Sequence, residues 1–207
     1  MPLGSAMTPE YWSEAKKHLA RRDPVLRKLM KRYPDADLAT RGDAFQTLAR
    51  SITGQQISVK AAQSIWNRFA ACAGTVNARN VVALAPEAIR ACGFSGSKVA
   101  YVKDLAARFH GGTIKPRRWP RMDDEAIIED LVQVKGIGRW SVEMFLIFHM
   151  MRPNVLPVGD LGLQRAMERA YNAGELLTKA EMREIGEKWA PWSTVATWYL
   201  WRSLDPA

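Results

Sequence analysis

Apolar residues recur at three- and four-residue spacing along nearly the whole chain, and no segment alternates apolar and polar residues through a run of β-branched side chains. This periodicity predicts an all-α protein cut into short helices by Pro and Gly. Thr8-Pro9-Glu10 reads as an N-cap with Pro in the first turn, opening a helix over 8–22. Asp23-Pro24 opens a second, which ends before Pro34. Further helices are expected over 43–52, 58–71, 86–92, 95–109, 123–134, 139–151, 160–171, 178–189 and 192–203, with a loop through Gly111-Gly112 and residues 116–120.

The 207 residues are 47% hydrophobic, enough to bury a core in one compact unit or two small ones. Thirty Lys and Arg against 21 Asp and Glu leave a net charge of +9. A surplus of that size points to a polyanionic partner, with nucleic acid first. Cys72 and Cys92 form no CxxC motif, which excludes a cysteine-ligated zinc site or iron–sulfur cluster. They read as two buried thiols in a reducing compartment, with a disulfide unneeded. No run of 18 apolar residues and no signal peptide is present, so no membrane association is expected. Residues 1–6 read as a cloning remnant, with Met7 the native start.

Two segments carry chemistry. In Leu131-Val132-Gln133-Val134-Lys135-Gly136-Ile137-Gly138-Arg139-Trp140-Ser141, two helices meet through Gly-Ile-Gly. Glycine allows a sharp turn and a close backbone approach. The second helix starts at Gly138, so its N–H groups and positive dipole end suit a phosphate without any side chain. An ordinary helix–helix turn would need only one glycine. A side chain at Gly136 or Gly138 is expected to weaken DNA binding and to spare the fold. About one helix later, Leu156-Pro157-Val158-Gly159-Asp160-Leu161-Gly162 sets an acid at the start of a helix. Read alone, Asp160 is an N-cap.

Together the two segments resemble the signature of the HhH-GPD superfamily of DNA glycosylases. Residues 51–58 (Ser-Ile-Thr-Gly-Gln-Gln-Ile-Ser), His18-Leu19 with Asp23-Pro24-Val25-Leu26, Gly93-Phe94-Ser95 with Lys98, and Trp189-Ala190-Pro191-Trp192 are similar to its 3-methyladenine DNA glycosylase II branch, the AlkA type. The resemblance runs from about Trp12 to Arg202. It implies a two-domain helix-hairpin-helix glycosylase fold: residues 47–156 as a helical barrel-like domain, residues 7–46 with 157–207 as the other, and an active-site cleft between.

The resemblance implies a monofunctional hydrolase that removes alkylated purines, such as 3-methyladenine and 7-methylguanine, from duplex DNA by base flipping. It makes Asp160 the catalytic residue, since a carboxylate near C1′ stabilises an oxocarbenium-like sugar. An alkylated purine already carries positive charge and leaves without a general acid, so one carboxylate suffices where ordinary glycosidases need two. Trp140 stands where bifunctional relatives carry a Schiff-base lysine, and indole cannot form one. Lys135 lies at the wrong offset to replace it. Trp140 and Trp201 match walls of the base pocket, with Trp198 and Met144 beside them, where an aromatic face suits a cationic base. Trp12, Trp66, Trp119, Trp189 and Trp192 read as core or surface.

By position the resemblance implies that Gln56 fills the gap left by the flipped base, where some relatives present leucine, with Gln55 the alternative. Ser58 and Lys60, with Gly136, Ile137, Gly138 and Arg139, complete the expected DNA contacts. The backbone carbonyls of Val132, Val134 and Ile137 are the expected ligands of a structural sodium or potassium ion, and no cofactor is required. The resemblance further implies a monomer working on nucleoid DNA in a bacterial cytoplasm. Two other readings stand. One is a glycosylase for oxidised or mismatched bases, disfavoured by Trp140 and by the missing cysteine cluster. The other is a non-catalytic hairpin DNA-binding module, for which Asp160 would have no use.

Overall fold

The computed structural model describes residues 8–35, 38 and 43–205. The expected leader at 1–6 and Met7 lie outside the described residues. Among the described residues the chain forms α-helices and one 3-10 helix, and no strand, so the fold class agrees with the periodicity. The α-helices are α1 (Trp12–Arg22), α2 (Pro24–Arg32), α3 (Ala44–Gly54), α4 (Val59–Ala73), α5 (Ala78–Ala83), α6 (Pro86–Ala91), α7 (Gly96–His110), α8 (Asp124–Leu131), α9 (Arg139–Phe148), α10 (Leu161–Tyr171), α11 (Lys179–Glu187) and α12 (Ser193–Arg202).

The starts follow cap chemistry. Asp23, Asp43, Ser58, Asn77, Ser95, Asp123, Asp160 and Thr178 each accept a hydrogen bond from a backbone N–H of the first turn they precede. Thr178 and Glu181 complete a capping box. Some boundaries differ from the periodicity. The first helix begins at Trp12, because Pro9 instead closes a turn by accepting from Trp12 N–H. Helix α5 escaped notice because six residues hold too little of a 3.6-residue repeat. The expected loop at 116–120 is a 3-10 helix, Pro116–Arg121, with Trp119 sunk into the core and set edge-on to Phe109 and Phe145. Helices α8 and α9 each stop three residues early.

The chain divides into two compact units. One takes its described residues from Met1–Arg41 and Leu146–Ala207, the other from Gly42–Phe145. The division falls within α9, where the sequence reading placed it at 46/47 and 156/157. In the first unit, α12 packs on α10, α2 and α1. Its core includes Leu19, Leu26, Met167, Met182, Trp189, Tyr199 and Leu200, all fully buried. In the second unit, α7 packs on α3 and α5. Leu48, Ile52, Phe69, Leu105, Ile127 and Leu131 are buried there.

Trp12, Trp66, Trp119 and Trp189 are core residues and Trp192 is half-buried, as expected for residues without a site role. The cysteine reading needs correction: both thiols are free, but only Cys92 is buried and Cys72 is exposed, since it sits on the outer side of α4. Among the described residues no helix is long and apolar enough to cross a membrane.

Candidate active site and nucleic-acid interface

In the first unit, the loop before α10 is tightened by two bonds, from Val158 N–H to the Leu156 carbonyl and from Asp160 N–H to the Pro157 carbonyl. This turn delivers Asp160 as the N-cap of α10. Its Oδ1 accepts from Leu163 N–H at 2.6 Å and from the indole Nε1–H of Trp201 at 2.8 Å. Two donors on one oxygen fix the carboxylate plane, and both bonds to a charged acceptor are of the stronger kind. The Trp201 ring in turn stacks on Phe148, with centroids 5.6 Å apart and planes 14° from parallel.

Gly162 closes the arrangement. A Cβ there would lie 3.0 Å from Asp160 Oδ1 and 3.4 Å from the Trp201 indole. Any side chain would press on the bonded pair. Trp198 is half-buried, and the Arg202 guanidinium sits 4.1 Å from its ring centroid, so one face of that indole is already covered.

In the second unit, the hairpin between α8 and α9 contains the bonds Val134 N–H to Leu131 carbonyl and Ile137 N–H to Val134 carbonyl, both 3.1 Å. Ile137 turns inward and is buried, anchoring the turn. Gly136 has φ of +76° and lies against Tyr101, whose ring would be 2.1 Å from an added Cβ. The expectation that bulk at Gly136 spares the fold is therefore wrong: both the backbone angle and the Tyr101 ring forbid a side chain. Gly138 differs, since its Cβ would meet nothing within 4 Å. It faces open space at the N-terminus of α9.

Side chains brace the hairpin. Gln55 Nε2 donates to the Gly136 carbonyl at 2.7 Å, tying the loop after α3 to the turn. Lys135 N–H donates to Asp104 Oδ2 at 2.9 Å. Arg139 spans both helices, paired with Glu125 of α8 through both terminal nitrogens and with Glu143 through Nε at 3.1 Å. Its hydrogen bonds to Glu125 hold that carboxyl below the usual range and raise the guanidinium further. Arg139 thus acts as a hairpin brace. Trp140, on the first turn of α9, is 48% exposed, and Met144, one turn on, is half-buried.

The loop after α3 is held from behind by Lys98, whose Nζ donates to the Thr53 carbonyl at 2.8 Å and the Gln55 carbonyl at 2.7 Å. Gln56 follows with φ of +57°, uncommon for a residue with a side chain, and is exposed. Gln55 is engaged with the hairpin, so Gln56 is the glutamine the loop presents. Ile57, at 39% exposure, and Val59, at 88%, flank it. Ser58 caps α4 through its hydroxyl, and Lys60 is exposed on the first turn.

A search against protein families matches residues 49–191 to the HhH-GPD superfamily of base excision DNA repair proteins. The chain belongs to the HhH-GPD superfamily. It is 32% identical over 198 residues to DNA-3-methyladenine glycosylase 1 of Schizosaccharomyces pombe, covering 92% of this chain and 87% of that one. Among solved structures it resembles the 3-methyladenine DNA glycosylase Mag1 of the same yeast in complex with abasic DNA. The TM-score is 0.79 at 32% identity, over 94% of this chain and 98% of that one. A DNA-3-methyladenine glycosidase from Bacillus halodurans gives a TM-score of 0.86 at 32% identity, over 95% and 91% of the two chains.

Within this HhH-GPD chain, the structure joins Asp160 to Trp201 in one unit and Gln55 to the hairpin in the other. Sequence reasoning missed Phe148, Gly162, Lys98 and Tyr101. Gly162 and Lys98 stood inside quoted motifs, but nothing in their spacing announced a contact. Phe148 and Tyr101 carried no signal at all. A shallow cleft of about 340 Å³ in the second unit, lined by Thr113, Lys115, Arg118, Glu129, Asp130 and Gln133 among others, holds none of the residues assigned to the site.

Proposed function

We propose that this chain is a monofunctional DNA glycosylase that hydrolyses the N-glycosidic bond of alkylated purines in duplex DNA, with 3-methyladenine and 7-methylguanine as representative substrates. The observation that carries the reading is the Asp160 carboxylate, held at the start of α10 by the Trp201 indole and the Leu163 amide. As the base departs, positive charge builds on the sugar ring, and a fixed carboxylate stabilises it without having to reorganise. The same carboxylate can orient or deprotonate the attacking water. The damaged base is itself cationic, so no second carboxyl is called for.

Trp201 serves twice in this reading. Its N–H positions Asp160, and its ring, backed by Phe148, offers an aromatic wall to the extruded base. Trp140, exposed on α9 in the other unit, is a second aromatic candidate for the base, with Met144 one turn on, and Trp198 is a third. Because Trp140 has no amine, the abasic strand stays intact. The α9 N-terminus at Gly138 takes a phosphate through backbone N–H groups. Gln56 fills the gap in the duplex and can hydrogen-bond the orphaned base, while Ile57 and Val59 give the loop apolar shoulders. The carbonyls of Val132, Val134 and Ile137 are hard oxygen donors suited to a sodium or potassium ion. Val134 already accepts one bond, from Ile137 N–H, and a carbonyl has a second lone pair. Such an ion would add positive charge beside the phosphate.

The test is release of bases from methylated duplex DNA. Chromatography identifies the freed bases, and denaturing gels without added alkali report strand breaks. We expect 3-methyladenine in solution and unbroken strands. Broken strands would contradict the monofunctional assignment. Tight DNA binding with no base released would leave a binding module.

A further inference from the structure

We propose that the outer face of α1 and α2 is a second surface for duplex DNA, one that holds phosphates well away from the damaged nucleotide. The proposal rests on the glycosylase reading for its choice of polyanion. Residues 12–32 carry eight lysines and arginines against two acids, Glu14 and Asp23, a local surplus of six out of the chain's nine. The surplus outside is larger still, because Asp23 is fully buried and its charge is consumed internally by Trp189, Tyr171 and Lys188. Lys17, Arg21, Arg22, Arg27, Lys28, Lys31 and Arg32 are all exposed.

None of these seven forms an ion pair among the described residues. On α2, Arg27 faces Lys31 and Lys28 faces Arg32 at i,i+4. Like charges at that spacing destabilise a helix, and the contact of Arg32 with the Tyr33 ring, 5.4 Å from its centroid, offsets little of that cost. The opposite face of α2 buries Leu26 and Met30, and Lys16 Nζ bonds the Pro34 carbonyl, pinning α1 to the end of α2. The cations therefore stand on a fixed scaffold rather than a loose tail.

The position of this face sets its role. Tyr171, the last residue of α10, donates to Asp23 at 2.8 Å at the α1–α2 corner, while Asp160 caps the other end of the same helix. Eleven residues at 1.5 Å each make α10 about 16 Å long. That is about five base steps of duplex at 3.4 Å per step. The α1–α2 corner, with Arg21, Arg22 and Arg27 around it, thus lies about one helix length from Asp160, too far for the phosphates of the nucleotide being cut, and the surface fits flanking duplex instead. Its contribution should be sequence-independent, salt-sensitive and separate from base release.

The experiment replaces four exposed residues together, Arg27→Gln, Lys28→Gln, Lys31→Gln and Arg32→Gln, with thermal melting to establish that the fold is kept. Affinity is measured over a range of salt on a long undamaged duplex and on a short duplex covering only the lesion and its nearest flanks. We expect binding to the long duplex to weaken about tenfold or more, and the slope of log K against log salt to fall by about 2–4, near 0.9 per lost phosphate contact. Short-duplex affinity and the single-turnover excision rate at saturating enzyme should stay at wild-type values. A Lys28→Arg, Lys31→Arg protein, keeping the charge, should bind the long duplex like wild type. An unchanged affinity and salt slope on the long duplex would overturn the proposal, as would equal losses on both duplexes. If wild type releases no base yet the salt slope still falls in the variant, the surface stands and the glycosylase reading fails.

Discussion

Asp23 and Asp160 are built alike and used differently. Each is the N-cap of a helix in the same unit, and each accepts an indole N–H, from Trp189 at 2.9 Å and from Trp201 at 2.8 Å. Asp23 is fully buried, and also accepts from Tyr171 and pairs with Lys188 at 3.2 Å. Asp160 sits part-exposed in a Gly/Pro turn beside Leu161, which is 67% exposed. Burial penalises the Asp23 charge, but the bonds from Trp189, Tyr171 and Leu26 N–H and the nearby Lys188 outweigh it and hold the carboxyl below the usual range. Burial and the Asp23 charge push the Tyr171 phenol far above its ordinary value. One carboxylate is spent inside the protein, locking α2 to α10 and to the end of α11. The other is fixed by the same kind of donors and stays part-exposed. An indole-anchored aspartate at a helix start is thus a way to hold a negative charge still. Burial decides whether that charge stabilises the fold or a reaction.

The contrast can be broken in several places. Asp160→Asn should cut single-turnover excision by about 10²–10³-fold, the size expected when one preorganised electrostatic group is lost. Its melting temperature should stay near wild type, because Asn is as good an N-cap as Asp. Asp23→Asn should do the reverse. Denaturant melts should show a loss of about 3 kcal/mol, since removing one partner of a buried charged network is costly. The excision rate per folded molecule should be unchanged.

The two tryptophans sharpen the comparison. Trp201→Phe keeps an aromatic wall and removes the donor to Asp160. A bond to a charged group is worth about 1.5–3 kcal/mol, so kcat should fall roughly tenfold or more with KM for duplex little changed. Trp189→Phe should lower stability and leave kcat alone. Gly138→Val in the hairpin is a control from the other unit. Duplex affinity should weaken several-fold at native stability, whereas Gly136→Val should also destabilise, through Tyr101. The smallest effect is on pH. Because the folded value of Asp23 is depressed, its contribution is complete above the unfolded value near 3.9 and is lost as pH falls through the folded value. Acid unfolding curves of wild type and Asp23→Asn should converge there.

Much of this was legible in the chain. The cap residues announced most helix starts, and the Gly-Ile-Gly hairpin and the Asp160 loop announced the family. What was not legible depends on residues far apart in sequence. Trp201 reaches Asp160 across 41 positions, and Gln55 reaches Gly136 across 81. A periodicity argument can place each on a helix or loop but cannot pair them. The glutamine question shows the gain: position in the motif favours Gln56 but leaves Gln55 open, and the bond from Gln55 to the hairpin separates them. Gly136 and Gly138 looked interchangeable until Tyr101 was found against one of them. Cys72 reads, with Cys92, as a buried thiol of a reducing compartment, and the compartment does not tell which side of α4 it lies on.

The most direct test of the central claim is a paired measurement on Asp160→Asn protein: single-turnover release of 3-methyladenine and affinity for the same duplex. The account predicts wild-type affinity, a native melting curve and excision reduced by about 10²–10³-fold. Excision at the wild-type rate would contradict it, and would make Asp160 a helix cap and nothing more.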